Sequence, residues 1–260
     1  MKLTSVKTDN LHIIKRRRKR AIKRTLIFIV LLVSLLIILC LKLPYFNVMN
    51  VVVSNNKIVN SDEIVQSSKI NKGINIFYMN LKDIQTNIQS NPYILKVDVK
   101  RKFPNTISII VQEREAVFYT QLDDRYFVID KKGIVLEEKT DISQMKLSNL
   151  QGFDAKSFKV GSAIPVDSTR KLQYIELITE LITYNSSGVD ITSVDLSNEL
   201  DIKIFCKDIV IKLGNDNIKE KLNKALVIIN SNNLADKKGY IDVSFEGNPV
   251  VSIENVEEKI

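Results

Sequence analysis

The residue types that commonly perform chemistry are sparse in this 260-residue chain. Its one histidine, His12, lies in a basic N-terminal segment, so the rest of the chain has no histidine for a triad, a general base or a metal site. The sequence also contains no Gly-rich phosphate loop, no G-x-S-x-G and no H-E-x-x-H. We therefore predict a protein that is not an enzyme, with no catalytic residues, no metal site and no cofactor.

Carboxylates are the remaining candidates for acid–base work. Asp98, Glu113 and Glu115 occur in or beside runs that predict strands, where solvated strand or turn positions are the ordinary interpretation. A hydrolase without histidine, built on Glu113 and Glu115, stays open as an alternative. The two cysteines, Cys40 and Cys206, fall in an apolar stretch and in a predicted strand, so we predict no disulfide between them.

An uncharged apolar stretch runs from Thr25 to Leu41. Fourteen of its seventeen residues are Leu, Ile, Val or Phe. As a helix it would span about 26 Å, close to the roughly 30 Å hydrocarbon core of a bilayer. Arg24 and Lys42 flank it and can reach the headgroup layers along their stems. The stretch predicts a transmembrane helix over residues 25–43, with the aromatic residues of Pro44-Tyr45-Phe46 at the membrane interface.

Positive charge is concentrated before this stretch. Residues 1–24 carry ten Lys or Arg and one Asp, net +9, against +8 for the whole chain, so the remainder is nearly neutral at −1. Positively charged flanks stay in the cytoplasm. Residues 1–24 therefore predict a basic cytoplasmic tail, and everything after the helix is expected outside the membrane.

Other interpretations of this region fit the residues less well. A cleaved signal peptide needs small residues at the cut, and Ile38-Leu39-Cys40 offers none; the same large residues disfavour a lipoprotein site at Cys40. The basic tail has no interleaved aromatic residues, so we do not expect it to bind nucleic acid.

Residues 44–115 predict a first exported domain. Its expected order is strand, helix, helix, strand, strand, which can bury one face of a three-stranded sheet under two helices. Asn80 is predicted to cap the second helix, and Asn91-Pro92 to end it. The predicted elements are a strand over Val48–Val53, helices after Asn60 and Asn80, and strands over Ile94–Lys100 and Thr106–Gln112.

Residues 116–253 predict a second, β-rich α+β domain, followed by a charged tail over 254–260. Asp130-Lys131-Lys132-Gly133 predicts a hairpin turn, and Leu150-Gln151-Gly152 predicts a loop. The predicted helices cover Ser168–Tyr184 and Asn217–Asn230. The predicted strands cover Tyr126–Ile129, Ile134–Leu136, Ile191–Leu196, Asp201–Cys206, Ile209–Leu213 and Tyr240–Phe245, with Val250–Ile253 as an extension of the last.

Several motifs resemble one family. They are Gly73-Ile74-Asn75-Ile76-Phe77, Asn91-Pro92-Tyr93-Ile94, Arg101-Lys102-Phe103-Pro104-Asn105-Thr106 and Glu113-Arg114-Glu115-Ala116, with Val194-Asp195-Leu196 and Tyr240-Ile241-Asp242-Val243 further on. Their order after a single membrane span resembles the FtsQ/DivIB cell-division family, whose first exported domain is a POTRA domain. Where the family usually has Gly-Asn after the first strand, this chain has Asn55-Asn56; Asn tolerates the left-handed conformation.

The resemblance implies a fold and a role. The fold would be a membrane-anchored α+β protein with one transmembrane helix, a POTRA domain (β-α-α-β-β) and a β-rich α+β domain. The role would be a divisome scaffold at the division septum. It would bind FtsL-like and FtsB/DivIC-like bitopic proteins through the membrane-distal domain and help to recruit and regulate the septal peptidoglycan synthases. Phe103, Pro104, Asn105, Glu113 and Arg114 would form the POTRA turn and motif.

An open sheet edge is the expected means of binding, because its free backbone groups can accept a strand from a partner. The last strand, about Tyr240 to Ile253, is predicted to be that edge. The partner-binding residues would be Tyr240, Ile241, Val243, Ser244, Phe245 and Glu246. Many members of the family have Arg-Tyr where this chain has Ser244-Phe245. A cell-wall-binding module, using Lys100, Arg101 and Lys102 with Lys131 and Lys132, is the alternative.

Overall fold

The computed structural model describes residues 5–254, and the side chains of residues 15–254. The chain begins with one long helix, α1, over Ser5–Lys42. Its part from Lys15 to Lys42 is long and apolar enough to cross a membrane. The predicted tail over residues 1–24 and the charged tail over 254–260 lie partly outside the described residues.

The first sheet has the predicted order of elements. These are β1 (Asn50–Ser54), α2 (Ser61–Ser67), α3 (Leu81–Gln89), β2 (Ile94–Lys102) and β3 (Thr106–Glu113). The three strands lie in the order β1-β3-β2, and β1 runs parallel to β3 with Val51 opposite Ile107. The β-α-α-β-β prediction is therefore confirmed.

Local sequence signals explain these elements. The Asn80 side chain accepts a hydrogen bond from the Lys82 amide at 3.1 Å, which is the predicted cap of α3. Ile84 and Ile88 of that helix are buried, as their four-residue spacing requires. Asn55 has a left-handed φ of 67°, so asparagine takes the conformation that glycine otherwise supplies after β1.

The second sheet has nine strands. They are β4 (Ala116–Leu122), β5 (Arg125–Asp130), β6 (Val135–Lys139), β7 (Ser148–Gln151), β8 (Ser193–Asp195), β9 (Ile202–Cys206), β10 (Ile209–Gly214), β11 (Gly239–Asp242) and β12 (Val250–Ile253). Their order across the sheet is β12-β11-β10-β9-β8-β7-β4-β5-β6. The sheet is mixed: β5 and β6 form the predicted antiparallel hairpin, whereas β7 runs parallel to both β4 and β8.

Two helices belong to the core of this second sheet. They are α4 (Thr169–Thr183), capped by the Ser168 side chain, and α5 (Ile218–Ser231). Their apolar faces, represented by Ile175, Ile178, Leu222 and Ile229, share one buried cluster with the strands. The predicted α+β class, with an N-terminal apolar helix and a β-rich second part, is confirmed.

The structure corrects three strand predictions. β4 was not expected, and β7 occupies the stretch predicted as a loop around Leu150, whose side chain is fully buried. The last predicted strand is two strands: β11 ends at Asp242, and β12 pairs with it antiparallel. Gly247, with φ 131°, lies between them and allows the chain to reverse.

The chain separates into two compact units. One unit contains the residues up to Asn55 together with Ser61–Asn87 and Asp98–Ile110, and the other contains Asn56–Asn60, Ile88–Val97 and the residues from Val111 onward. The end of α1 and the turn between β2 and β3 belong to the first unit, and the nine-stranded sheet belongs to the second.

Candidate partner-binding edge

The free edge at this end of the nine-stranded sheet belongs to β12. β11 is an interior strand, since Ile241 lies opposite Ile211 of β10 on one side and opposite Val251 of β12 on the other. Within residues 5–254 no strand pairs with the outer side of β12. The prediction that one strand over Tyr240–Ile253 would form the open edge is therefore wrong, because the chain reverses and covers β11.

The predicted partner-binding residues consequently divide into two groups. Ile241 and Val243 are buried in the core, and Tyr240 lies in β11 with the Lys212 ammonium 4.6 Å from the centre of its ring. The other three, Ser244, Phe245 and Glu246, lie in the segment between β11 and β12, outside either strand. Their expected position in a strand is wrong, and their contact with a partner stays a prediction.

Alternation along β12 shows which backbone groups face outward. The Glu254 amide donates to the Lys238 carbonyl at 2.8 Å, so the backbone N–H and C=O groups of the even-numbered residues point toward β11. The N–H and C=O groups of Val251 and Ile253 must then point away from the sheet. The side chains of Val250 and Val251 are exposed. Sequence reasoning treated this β-branched run only as an extension of the strand before it.

The connection between β11 and β12 is held by α5 and by its own side chains. The Asp242 carboxylate accepts hydrogen bonds from the Ser244 amide at 3.0 Å and from its hydroxyl at 2.6 Å. From α5, the Lys221 ammonium donates to the Ser244 carbonyl at 2.9 Å, and Lys224 donates to the Gly247 carbonyl at 3.2 Å. The segment that presents Phe245 is therefore anchored on both sides of that residue.

These contacts also set the ionisation of Asp242. Burial alone would raise the pKa of its carboxyl, but the two hydrogen bonds from Ser244, with the charges of Lys212 and Lys221, outweigh it. The pKa of Asp242 lies below its usual value as a result.

Glu113, in the predicted POTRA motif, holds a turn. Its two carboxylate oxygens accept hydrogen bonds from three consecutive amides, those of Lys57, Ile58 and Val59, at 2.8–2.9 Å. A carboxylate that accepts three amide donors is strongly fixed. This geometry gives Glu113 a structural role, and the acid–base role considered for the pair with Glu115 stays an untested alternative.

Arg114, the next residue, forms an ion pair with Asp130. The Arg114 guanidinium Nη1 lies 2.8 Å from Asp130 Oδ2, and the two side chains are 20% and 3% exposed. The other oxygen of Asp130 accepts the amides of Lys132 and Ile134, both at 2.8 Å. One buried carboxylate thus organises the β5–β6 turn and receives the arginine of the motif.

Phe103, Pro104 and Asn105 form the turn between β2 and β3, as predicted. The Asn105 carbonyl accepts the Met49 amide at 2.9 Å, which ties the turn to the start of β1. Phe103 is exposed at its tip and stacks on Phe77, with 5.3 Å between ring centres. This turn therefore presents an aromatic ring outward.

Two of the basic residues of the alternative cell-wall site already bond to other groups of the protein. The Arg101 guanidinium donates to the carbonyls of Ile76 and Met79 at 2.8 and 2.6 Å, and Lys100 pairs with Asp98 at 2.6 Å. Lys102, Lys131 and Lys132 are exposed. The Arg101 side chain therefore has a structural role.

Cys206 and the acidic side chains are the groups to consider for redox and metal chemistry among the residues with described side chains. Burial, with the charge of Asp190, raises the pKa of the Cys206 thiol to about 12, so the thiol stays protonated at neutral pH. Among residues 15–254 no group of three or more His, Cys, Asp or Glu side chains is arranged to hold a metal ion.

Taken together, the fold and its sheet edge define a class: a protein with one N-terminal apolar helix suited to anchor it in a membrane, a small β-α-α-β-β domain and a β-rich domain. Two family models match the chain in this order. The POTRA domain, FtsQ-type, matches residues 46–114, and "Cell division protein FtsQ/DivIB, C-terminal" matches residues 118–244. The chain belongs to the FtsQ/DivIB family of cell division proteins.

Individual relatives agree with the two family models, two of them over nearly the whole chain. The chain is 48% identical to the cell division protein DivIB of Clostridium acetobutylicum over 250 residues, 96% of this chain and 100% of the relative. It is 44% identical to DivIB of Clostridium botulinum over 96% of this chain and 98% of that protein. With DivIB of Bacillus subtilis it shares 32% identity over 47% of this chain and 48% of that protein. These similarities support a role in cell division.

Proposed function

We propose that this chain is a non-enzymatic scaffold of the division machinery. It binds FtsL-like and FtsB/DivIC-like bitopic proteins outside the membrane. Through them it helps to recruit and regulate the septal peptidoglycan synthases, with which its own contact is indirect. Family membership supports the division role, and the free edge of β12 is the observation that carries the binding role.

The proposed orientation has the N-terminus in the cytoplasm and both sheets outside, at the division septum. The distribution of positive charge supports it: eight Lys or Arg lie between Lys15 and Arg24, whereas Lys42 is the one close to the other end of the span. Bitopic partners with short exported segments would then meet the second sheet on the extracytoplasmic side.

Strand addition at β12 is the proposed mode of binding. The outward N–H and C=O groups of Val251 and Ile253 supply the backbone hydrogen bonds, and the exposed Val250 and Val251 supply apolar contact. An extended partner segment would become the tenth strand of the sheet. Because the main chain provides the affinity, the partner's side chains near Phe245 would provide selectivity.

Val251→Pro tests this mode directly. Proline removes the outward N–H of Val251, and an edge strand tolerates it because that group makes no bond within the sheet. Val251→Thr is the matched control, since it keeps the N–H and the β-branched shape. In pull-downs from membranes and in binding titrations with purified partners, we expect Val251→Pro to weaken binding about tenfold, the effect of roughly 1.4 kcal/mol.

Equal binding by the proline and threonine variants, with unchanged thermal unfolding, would contradict strand addition at this edge. Failure of the intact chain to capture any single-span partner would contradict the scaffold proposal itself. Retention of that chain on purified peptidoglycan would then favour the cell-wall-binding alternative.

A further inference from the structure

Four aromatic rings from three separate segments form a continuous patch in the first unit. Tyr45 and Phe46 follow α1, Phe77 lies in the short 3-10 turn Ile76–Tyr78, and Phe103 lies at the β2–β3 turn. The ring centres are 5.4 Å apart for Tyr45–Phe46, 5.6 Å for Phe46–Phe77 and 5.3 Å for Phe77–Phe103. We call these four residues the aromatic patch.

The aromatic patch is largely open to solvent. Tyr45 is 65% and Phe103 58% exposed, and the neighbouring Tyr78, Leu43 and Ile74 are exposed as well. The rings contact one another edge-on, tilted and stacked in turn, and together they form a contiguous apolar patch. On a soluble surface such a patch generally marks an interaction site. Core packing does not require these rings, because the buried residues of this sheet, such as Val48 and Ile107, lie elsewhere.

Specific hydrogen bonds hold the patch against the end of α1. The Asn75 side-chain amide, itself buried, donates to the carbonyls of Cys40 and Leu41 at 2.9 and 3.1 Å. These are carbonyls of the last turn of the helix, which have no partner further along it. The Asn75 side-chain oxygen also accepts the Phe77 amide at 3.0 Å. One residue therefore joins the end of the apolar helix to the segment that carries Phe77.

Arg101 fixes the same segment from the other side. Its guanidinium donates to the carbonyls of Ile76 and Met79, the residues that flank Phe77 and Tyr78. The 3-10 turn is thus clamped between the helix end and the end of β2, and Phe103 follows two residues after Arg101. Hydrogen bonds from two sides therefore fix the position of the patch, which does not depend on one flexible loop.

We propose that the aromatic patch inserts into the interfacial layer of the bilayer that α1 enters, so that the first unit rests on the membrane surface at the C-terminal end of α1. Continuity with the span favours lipid as the occupant: Tyr45 follows Lys42 by three residues, at most about 10 Å along the chain, and α1 is the segment suited to cross the membrane. Aromatic rings concentrate at this depth in membrane proteins. The inference goes beyond the scaffold role and does not depend on it.

Charge around the patch suits the same occupant. Lys42, Lys72 and Lys102 are exposed and lie next in sequence to Leu43, Gly73 and Phe103. Ammonium groups at the border of an inserted apolar patch can pair with lipid phosphates. A wholly apolar protein partner would leave these cations without a counter-charge, whereas a headgroup layer supplies one.

The chain contains no tryptophan, so a single introduced tryptophan reports on one position. Full-length Phe103→Trp would be reconstituted in vesicles of phosphatidylcholine and phosphatidylglycerol, with part of the phosphatidylcholine brominated on its acyl chains. The matched control is Val52→Trp, because Val52 is also exposed in the same unit, at 51%. It lies on β1, two residues past the one that pairs with Thr106 at the end of the β2–β3 turn, and is not part of the aromatic patch. Phe77→Trp provides a second reporter on an independent segment.

We expect the brominated lipid to quench Phe103→Trp and Phe77→Trp about twofold or more beyond Val52→Trp, since bromine quenches only rings at membrane depth. Acrylamide, a quencher in the water phase, should show the opposite order. Equal lipid quenching at all three positions, or high acrylamide quenching at residue 103, would overturn the proposal. Protection that appears only when a partner protein is added would assign the patch to that protein instead. Unchanged circular dichroism spectra confirm that each variant is folded.

Discussion

The Arg114 guanidinium forms a short ion pair with the buried Asp130 carboxylate, at 2.8 Å between Nη1 and Oδ2. Arg114 follows directly on β3, and Asp130 ends β5 and organises the turn into β6. Arg114, one of the motif residues by which the sequence identifies the first domain, therefore contacts a residue of the nine-stranded sheet within the same compact unit. The ion pair gives Arg114 a structural role, which explains why a charged side chain occurs where the chain passes from one sheet to the next.

Removal of Arg114 should destabilise the protein. Arg114→Ala leaves one oxygen of a nearly buried carboxylate without its counter-charge, so we expect the free energy of unfolding to fall by about 3 kcal/mol. Urea unfolding of the full chain in detergent micelles would measure it. The control is Lys207→Ala, whose partner Asp236 is 85% exposed; loss of that exposed pair should leave the free energy of unfolding nearly unchanged. Similar losses for both variants would contradict the assignment.

Replacement of Glu113 by alanine should destabilise the protein, whereas the same replacement of Glu115 should not. Glu113→Ala leaves the amides of Lys57, Ile58 and Val59 without their acceptor, and we expect a loss of about 2 kcal/mol together with faster proteolysis near residues 57–59. Glu115→Ala, at an exposed position, should unfold as the unmodified chain does. If the two variants instead lose an activity on peptidoglycan fragments that the intact chain possesses, the hydrolase alternative would replace the scaffold.

The segment between β11 and β12 should loosen in acid. Because the pKa of Asp242 is lowered in the folded chain, its ionised form stabilises the fold at pH values above its unfolded pKa, near 3.8. That stabilisation is lost as the pH falls from there through the lower folded pKa. We expect the NMR shift of the Ser244 amide to titrate with a midpoint below 3.8, and to lose that titration in Asp242→Asn. A midpoint at or above the ordinary value would refute the described hydrogen bonding.

A substitution at Phe245 tests the part of the proposed binding surface that lies outside the strands. Its side chain is exposed in a segment that Lys221 and Lys224 hold in place, so Phe245→Asp should leave the fold intact. We expect binding of the DivIC-like partner to weaken several-fold, because a charge would be buried against that partner. Lys237→Asp, on the approach to β11, is a control for net charge, because it lowers the charge by two units where Phe245→Asp lowers it by one. Undiminished affinity for Phe245→Asp would remove this residue from the site.

Much of the fold follows from local signals. The apolar stretch after Arg24, the cap and spacing of α3, and the apolar faces of α4 and α5 each lie within one continuous segment, so periodicity and capping suffice to predict them. The hairpin from β5 to β6 was predicted for the same reason, since its turn residues lie between the two strands. The strand β7 was missed because both strands that it pairs with are distant in sequence and because it is short and half polar. The strand β4 was missed although its antiparallel partner β5 follows after a two-residue turn, so in that case the local signal was present and was overlooked.

The sequence by itself determined the membrane span, the charge asymmetry across it, the order of elements in the first sheet and the family that the motifs resemble. Only the tertiary structure decided which strand is the free edge. Strand pairing depends on contacts between segments far apart in the chain, and a reversal at Gly247 turns an apparent extension of β11 into a separate strand that covers it. The same holds for the aromatic patch, because Tyr45, Phe77 and Phe103 come together through hydrogen bonds that no local pattern encodes.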